Sequence, residues 1–214
     1  MSISTYTELQ AAVASYLARS DLTANIPDFI TLAESRFNRE LRTHDMETSA
    51  TVTMTAGSGS LPTGYLEWIS ATWGGASRNG DLRYMSPDSE EWRFRYRPNG
   101  DPTMFTILAG MIKLRPVATG NITLVYYSTV PALASNSTNW LLTRAPDLYL
   151  YTALAESYIF TKNPEGATAM LQLADVAMGK AIVDGDSNKL ARRPTKGAET
   201  QDSVTASQSA SSGI

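Results

Sequence analysis

Ile26-Pro-Asp-Phe-Ile-Thr-Leu-Ala-Glu-Ser-Arg-Phe-Asn-Arg-Glu-Leu-Arg42 is the stretch from which the fold is read. Ile26, Phe29, Ile30, Ala33, Phe37 and Leu41 recur at three- and four-residue spacing, which places them on one face of a helix. Asp28, Thr31, Glu34, Ser35, Asn38, Arg39 and Arg42 fall on the other side. Pro27 suits the first helical turn, where its missing N–H costs nothing. Asp28 sits where the helix dipole favours negative charge, and Arg39 and Arg42 complement the far end. The stretch therefore predicts a helix with one apolar face and one polar face of mixed sign. The apolar face requires partners, and nothing in it carries chemistry.

Outward from this helix, residues 4–19 read as another. Thr5 and Glu8 have capping-box spacing, and Leu9, Ala12, Val13, Tyr16 and Leu17 form its apolar stripe. Two amphipathic helices joined by a short break pack as a pair. From Thr48 the period changes to two: Val52 and Met54 alternate with Thr51 and Thr53, as in a strand. Further extended segments are expected over residues 65–73 and 82–85, with Asn79-Gly80 read as a hairpin turn. Ser86-Pro87-Asp88 reads as the start of a brief helix. Residues 103–108 and 111–115 read as a hairpin around Ala109-Gly110, with Phe105, Ile107, Ile112 and Leu114 on its buried side. Residues 121–128 are rich in β-branched and aromatic residues and read as one more strand. Pro146-Asp147 and Pro164-Glu165 then open two helices, the second expected to close at Asp184-Gly185.

The expected fold is thus α+β. Helix pairs at 1–45 and 131–185 form a four-helix bundle, residues 46–130 form a small inserted antiparallel β unit, and 186–214 form an extended tail. From 195 onward the only large aliphatic residues are Val204 and Ile214. Such a segment buries too little apolar surface to offset an ordering entropy of roughly 1–2 kcal/mol per residue, so a partner is expected to order it.

Composition narrows the function classes. The chain has 214 residues, a net charge of -3 and a pI near 5.2. That balance supplies no bulk attraction to nucleic acid or to an anionic membrane. Charged residues are 18% of the chain, against about 25% in an ordinary soluble domain. A surface poor in charge fits one that is covered in an assembly, and equally one that is simply rich in Ala, Ser and Thr. Cysteine is absent and His44 is the single histidine, which disfavours thiolate and multi-histidine metal sites. The N-terminal residues have no signal-peptide pattern. No run approaches the roughly eighteen apolar residues of a membrane span.

Candidate sites are few. Asp88, Glu90 and Glu91 cluster, but at a helix start, where acids are ordinary. No phosphate-binding glycine loop and no nucleophile elbow occurs. Trp92-Arg-Phe-Arg-Tyr-Arg97 interleaves aromatics with arginines. In a strand, Arg93, Arg95 and Arg97 would share one face and Trp92, Phe94 and Tyr96 the other. That pattern fits a protein interface, a single-stranded nucleic-acid contact or a solvated basic face. Arg192, Arg193, Pro194 and Lys196 form a basic hinge before the polar tail, either a docking point or a solvated linker.

The order of parts, together with 26–42, Leu61-Pro-Thr-Gly-Tyr-Leu-Glu67, Met111-Ile-Lys-Leu-Arg-Pro116 and Ala153-Leu-Ala-Glu-Ser-Tyr158, resembles the head-to-tail adaptor (connector) proteins of tailed bacteriophages. The resemblance covers residues 4–190. It implies a structural protein of the virion neck, without catalysis or cofactor. It implies a ring of twelve copies beneath the portal protein, assembled in the host cytoplasm, which extends the channel for double-stranded DNA without sequence-specific binding and attaches tail and nozzle proteins. The tail, with Arg192, Arg193, Pro194, Lys196 and Ile214, would dock on the portal. Glu34, Arg36, Arg39, Glu40 and Arg42 would set a heterologous subunit boundary. Trp92, Arg93, Arg95 and Arg97 would face tail components. The alternatives are another neck component, a stopper or terminator, or a carbohydrate-binding module using Trp68, Trp73, Trp92 and the tyrosines. A hydrolase would need clustered carboxylates with shifted pKa values in a cleft.

Overall fold

The computed structural model describes residues 3–74, 79–94 and 100–191. Among them are six α-helices and two four-stranded sheets. Helices α1 (Tyr6–Leu17) and α2 (Ile26–Glu40) precede the strands. Strands β1 (Glu47–Met54), β2 (Ser58–Ser60), β3 (Tyr65–Gly74), β4 (Asn79–Asp81) and β5 (Arg83–Tyr84) follow. The short helix α3 (Glu90–Phe94) leads to β6 (Met104–Leu108), β7 (Met111–Arg115) and β8 (Gly120–Ser128). Helices α4 (Trp140–Arg144), α5 (Pro146–Phe160) and α6 (Pro164–Ala191) complete the described chain.

The α1 capping box forms: Glu8 N–H donates to Thr5 Oγ1 at 3.2 Å, and the Glu8 carboxylate accepts from the Thr5 N–H at 3.1 Å. Of its expected stripe, Leu9, Ala12 and Val13 are buried, while Tyr16 is exposed. All six residues of the apolar face of α2 are buried. Ile26, Ile30, Ala33, Phe37 and Leu41 pack with α1, α4, α5 and α6 in one helical core, with Phe37 edge-on to Tyr149 at a centroid distance of 4.9 Å, while Phe29 meets the Phe160 ring of α5.

The four-helix bundle with a small antiparallel β unit is not what forms. The strands make a two-sheet sandwich with a core of its own. One sheet has the order β1-β8-β3-β4 and is antiparallel throughout. The other has the order β2-β7-β6-β5 and contains one parallel pair, β5 with β6. Val52, Met54, Ala71, Trp73, Phe105, Ile112, Leu114, Ile122 and Leu124 fill the space between the sheets. The reason is the period-two alternation in each long strand: every second side chain points inward, and one sheet alone leaves that face wet. A second sheet covers it. Phe105 faces Leu114, and Ile107 faces Ile112, across the β6–β7 hairpin. Gly120 belongs to this packing, because a Cβ there would stand 2.5 Å from the Trp73 ring.

Three local expectations also change. Asn79-Gly80 lie in β4, paired with Gly74 and Trp73, and not in the turn. α6 does not stop at Gly185 but continues to Ala191. Gly185 is buried there against Thr43, where a Cβ would come within 3.0 Å of the threonine Cβ. Finally, α4 was not expected at all. Its signal was Asn139, whose Oδ1 accepts from Leu142 N–H at 2.8 Å and caps the first turn.

Candidate interaction surfaces

The polar side of α2 divides into an inner and an outer part. Glu34 belongs inside, in contrast to its expected place on the solvent face. It is 7% exposed, at the margin of the apolar stripe. Its Oε1 accepts from Leu133 N–H at 2.8 Å, with Tyr149 OH at 3.4 Å. Tyr149 OH in turn accepts from Asn139 Nδ2 at 2.7 Å, and the same nitrogen donates to Pro131 O at 2.8 Å. One turn along α2, Asn38 Oδ1 accepts from Val130 N–H at 2.8 Å. Two side chains of α2 thus hold the segment that carries the chain from β8 to α4. Burial raises the Glu34 carboxyl above its ordinary value, against the opposing hydrogen bonds from Leu133 and Tyr149. Burial likewise raises the Tyr149 phenol, which stays protonated.

Arg36 and Arg42 are engaged within the subunit. Arg36 Nε pairs with Glu40 at 3.0 Å, and its Nη2 reaches Asp175 of α6 at 3.5 Å. Arg42 Nε pairs with Glu67 at the start of β3 at 3.0 Å, and its Nη1 donates to the carbonyls of Asn38 and Leu41. These half-exposed pairs tie α2 to α6 and to the sandwich. Each contributes modestly to stability, since water screens it. Arg39 remains exposed and makes no ion pair among the described residues. It shares the outer face of α2 with Asp28, Ser35 and Leu32, which is 50% exposed.

The Trp92 segment is helical through Phe94, so the strand-like sharing of faces does not apply there. Trp92 is buried with Met85 and Met104. The Arg115 guanidinium lies over its ring, 4.6 Å from the centroid, and donates to the Trp92 carbonyl. Arg93 is exposed. Arg95 and Arg97 lie outside the described residues, as do Arg192, Arg193, Pro194, Lys196 and Ile214.

The other aromatic candidates are structural too. Trp73 is 3% exposed, and Trp68 is half-buried, stacked on Tyr84 and edge-on to Phe105. No exposed tryptophan platform is available from these three. Asp88, Glu90 and Glu91 stand at the start of α3, with Glu91 4.0 Å from Arg83. His44 Nδ1 lies 3.0 Å from Glu47 Oε2. Among the described residues, no group of three or more His, Cys, Asp or Glu is placed to hold a metal ion. No helix among them is long and apolar enough to cross a membrane.

The surface has an apolar feature that the sequence reading missed. α6 buries Ala174, Ala177, Met178 and Ala181, yet it also exposes Leu173, Val176 and Val183 at 44%, 59% and 64%. Apolar residues therefore lie on both faces of α6. The signal was in the sequence, because a helix apolar all round is normally covered all round.

No curated protein matches the chain. Residues 4–197, spanning the helices and the sandwich alike, match the family described as SU10 adaptor protein. The chain belongs to that family of phage head-to-tail adaptors.

Proposed function

We propose that this adaptor forms a twelve-copy ring between the portal and the tail of a phage virion, extends the DNA channel and provides the tail with its attachment surface. The observation that carries this reading is the family match over both helical and β parts. The exposed apolar residues of α2 and α6 support it, since they leave surface to be covered by an assembly. In this reading residues 1–45 and 131–185 build the ring and 46–130 project toward tail components, with Arg93, Arg95 and Arg97 at that contact. The segment after α6, residues 192–214, docks on the portal through Arg192, Arg193, Pro194, Lys196 and Ile214. A net charge of -3 suits a channel wall along which double-stranded DNA slides without being held.

The test is electron microscopy of the protein mixed with its portal. The expected image is a ring stacked beneath the portal. Full-length protein that leaves the portal bare at micromolar concentration would exclude the role.

A truncation refines it. Because α6 runs to Ala191 and Gly185 packs on Thr43, the cut belongs after residue 191 rather than after 185. The shortened protein is expected to keep the wild-type circular-dichroism spectrum and melting temperature and to lose portal co-sedimentation. Undiminished co-sedimentation would remove the docking role of 192–214.

A further inference from the structure

We infer that the outer face of α6 is the seat for the outer face of α2 from the next copy of this chain, and that Arg39 and Asp184 pair across that boundary. This rests on the ring reading above and specifies the surfaces that close the ring.

The occupant follows from shape, direction and charge. The α6 face offers Leu173, Val176 and Val183 beside Gly179, where a Cβ would meet nothing within 4 Å. Val176, Gly179, Lys180, Val183 and Asp184 line a shallow depression. Lys180 interrupts the apolar stripe, but its stem can lie along apolar surface while its ammonium reaches water. The outer face of α2 presents one large apolar residue, Leu32, two turns before Arg39. Asp184 lies just over two turns beyond Val176. If Leu32 seats on Val176 with the helices parallel, Arg39 arrives beside Asp184.

Parallel packing is what a ring imposes. Phe29 meets Phe160 at 5.5 Å while Phe37 meets Tyr149, so α2 and α5 run antiparallel. α6 returns along α5 after a three-residue link, Thr161 to Asn163. Hence α2 and α6 run parallel within one copy. Neighbours in a twelve-copy ring differ by a rotation of about 30°, so α2 of one copy stays roughly parallel to α6 of the next. A ring boundary is heterologous, joining two different surfaces, here the α2 face of one copy and the α6 face of the next.

The experiment compares full-length wild type, Val176→Glu, Arg39→Asp, Asp184→Arg and the Arg39→Asp/Asp184→Arg double variant, by sedimentation and electron microscopy. All altered side chains are exposed, and thermal melts establish that each variant folds. Expected is at least a tenfold loss of ring in Val176→Glu, a clear loss in each single charge reversal, and recovery toward wild type in the double variant. Rings that survive Val176→Glu, or single reversals that the double variant fails to rescue, overturn the pairing and leave the ring reading standing. A wild-type chain that forms no ring, alone or on the portal, overturns both.

Discussion

Replacing Phe105 with alanine is expected to destabilise the protein by about 3–5 kcal/mol, as much as a truncation in the helical core. Phe105 is fully buried between the sheets, in edge contact with Trp68 and Tyr84. Removing the ring strips burial from both sheets at once. The strands around it are pinned by ladders on both sides: β6 pairs with β7 and β5, and β7 also with β2. The site therefore cannot collapse cheaply, and the lost volume stays as a cavity. Denaturant unfolding of the variant should show the midpoint falling. Phe37→Ala, in contact with Tyr149, is the comparison in the helical core. A cost for Phe105→Ala below about 1 kcal/mol would mean that the β part is a loose appendage rather than a second core.

That contrast marks where sequence reading reached its limit. The individual strands are legible, because Val52 and Met54 alternate with threonines and Phe105 and Ile107 oppose Leu114 and Ile112 around Ala109-Gly110. The way they divide into two layers is not. β1 pairs with β8 over its whole length, Glu47 opposite Tyr127 through Met54 opposite Gly120. Nothing near Thr48 announces a partner that far along the chain. The apolar face of α2 was legible for the opposite reason: its six residues are buried by a period that a 17-residue stretch contains in full. Trp92 shows an intermediate case. Alternation with arginine suggests a strand, but Glu90, Glu91 and the preceding Ser86-Pro87-Asp88 favour a helix start, and the helix wins. The long-range Arg115 contact that covers its ring has no local signature.

The adaptor surfaces were legible only in outline. Arg36, Arg39, Glu40 and Arg42 look equivalent on a helical projection. In space Arg36 and Arg42 serve the subunit's own packing, and Arg39 with Leu32 stays exposed. The difference lies in Asp175 and Glu67, which are distant in sequence and supply the partners. The apolar outer face of α6 was visible in the sequence as Leu173, Val176 and Val183, but reading only for a buried stripe passes over it.

Glu34 separates the need for an acceptor from the need for a charge, and its two substitutions should differ in sign. Glu34→Ala leaves the Leu133 N–H and the Tyr149 hydroxyl without their acceptor inside the protein. Each buried group so orphaned costs about 1–3 kcal/mol, so the variant is expected to be severely destabilised. Glu34→Gln keeps an oxygen at the same place and removes only the charge. Because burial raises the folded-state value above 4.5, the native protein binds more protons than the unfolded chain between 4.5 and that raised value. The contribution of this carboxyl is therefore fully present below 4.5 and is lost as pH rises through the folded-state value. Above it, the wild type carries a desolvated carboxylate and the glutamine variant does not. Glu34→Gln should thus equal or exceed the wild type in stability near pH 7, and its advantage should vanish as pH falls toward 4.5. Urea unfolding of the three proteins between about pH 4 and pH 8 measures this directly. If glutamine were as damaging as alanine at neutral pH, the negative charge itself would be what holds Leu133 and Tyr149. Glu34 would then act as an anionic clamp on the segment between the sandwich and the C-terminal helices, rather than as a neutral-capable acceptor within the core.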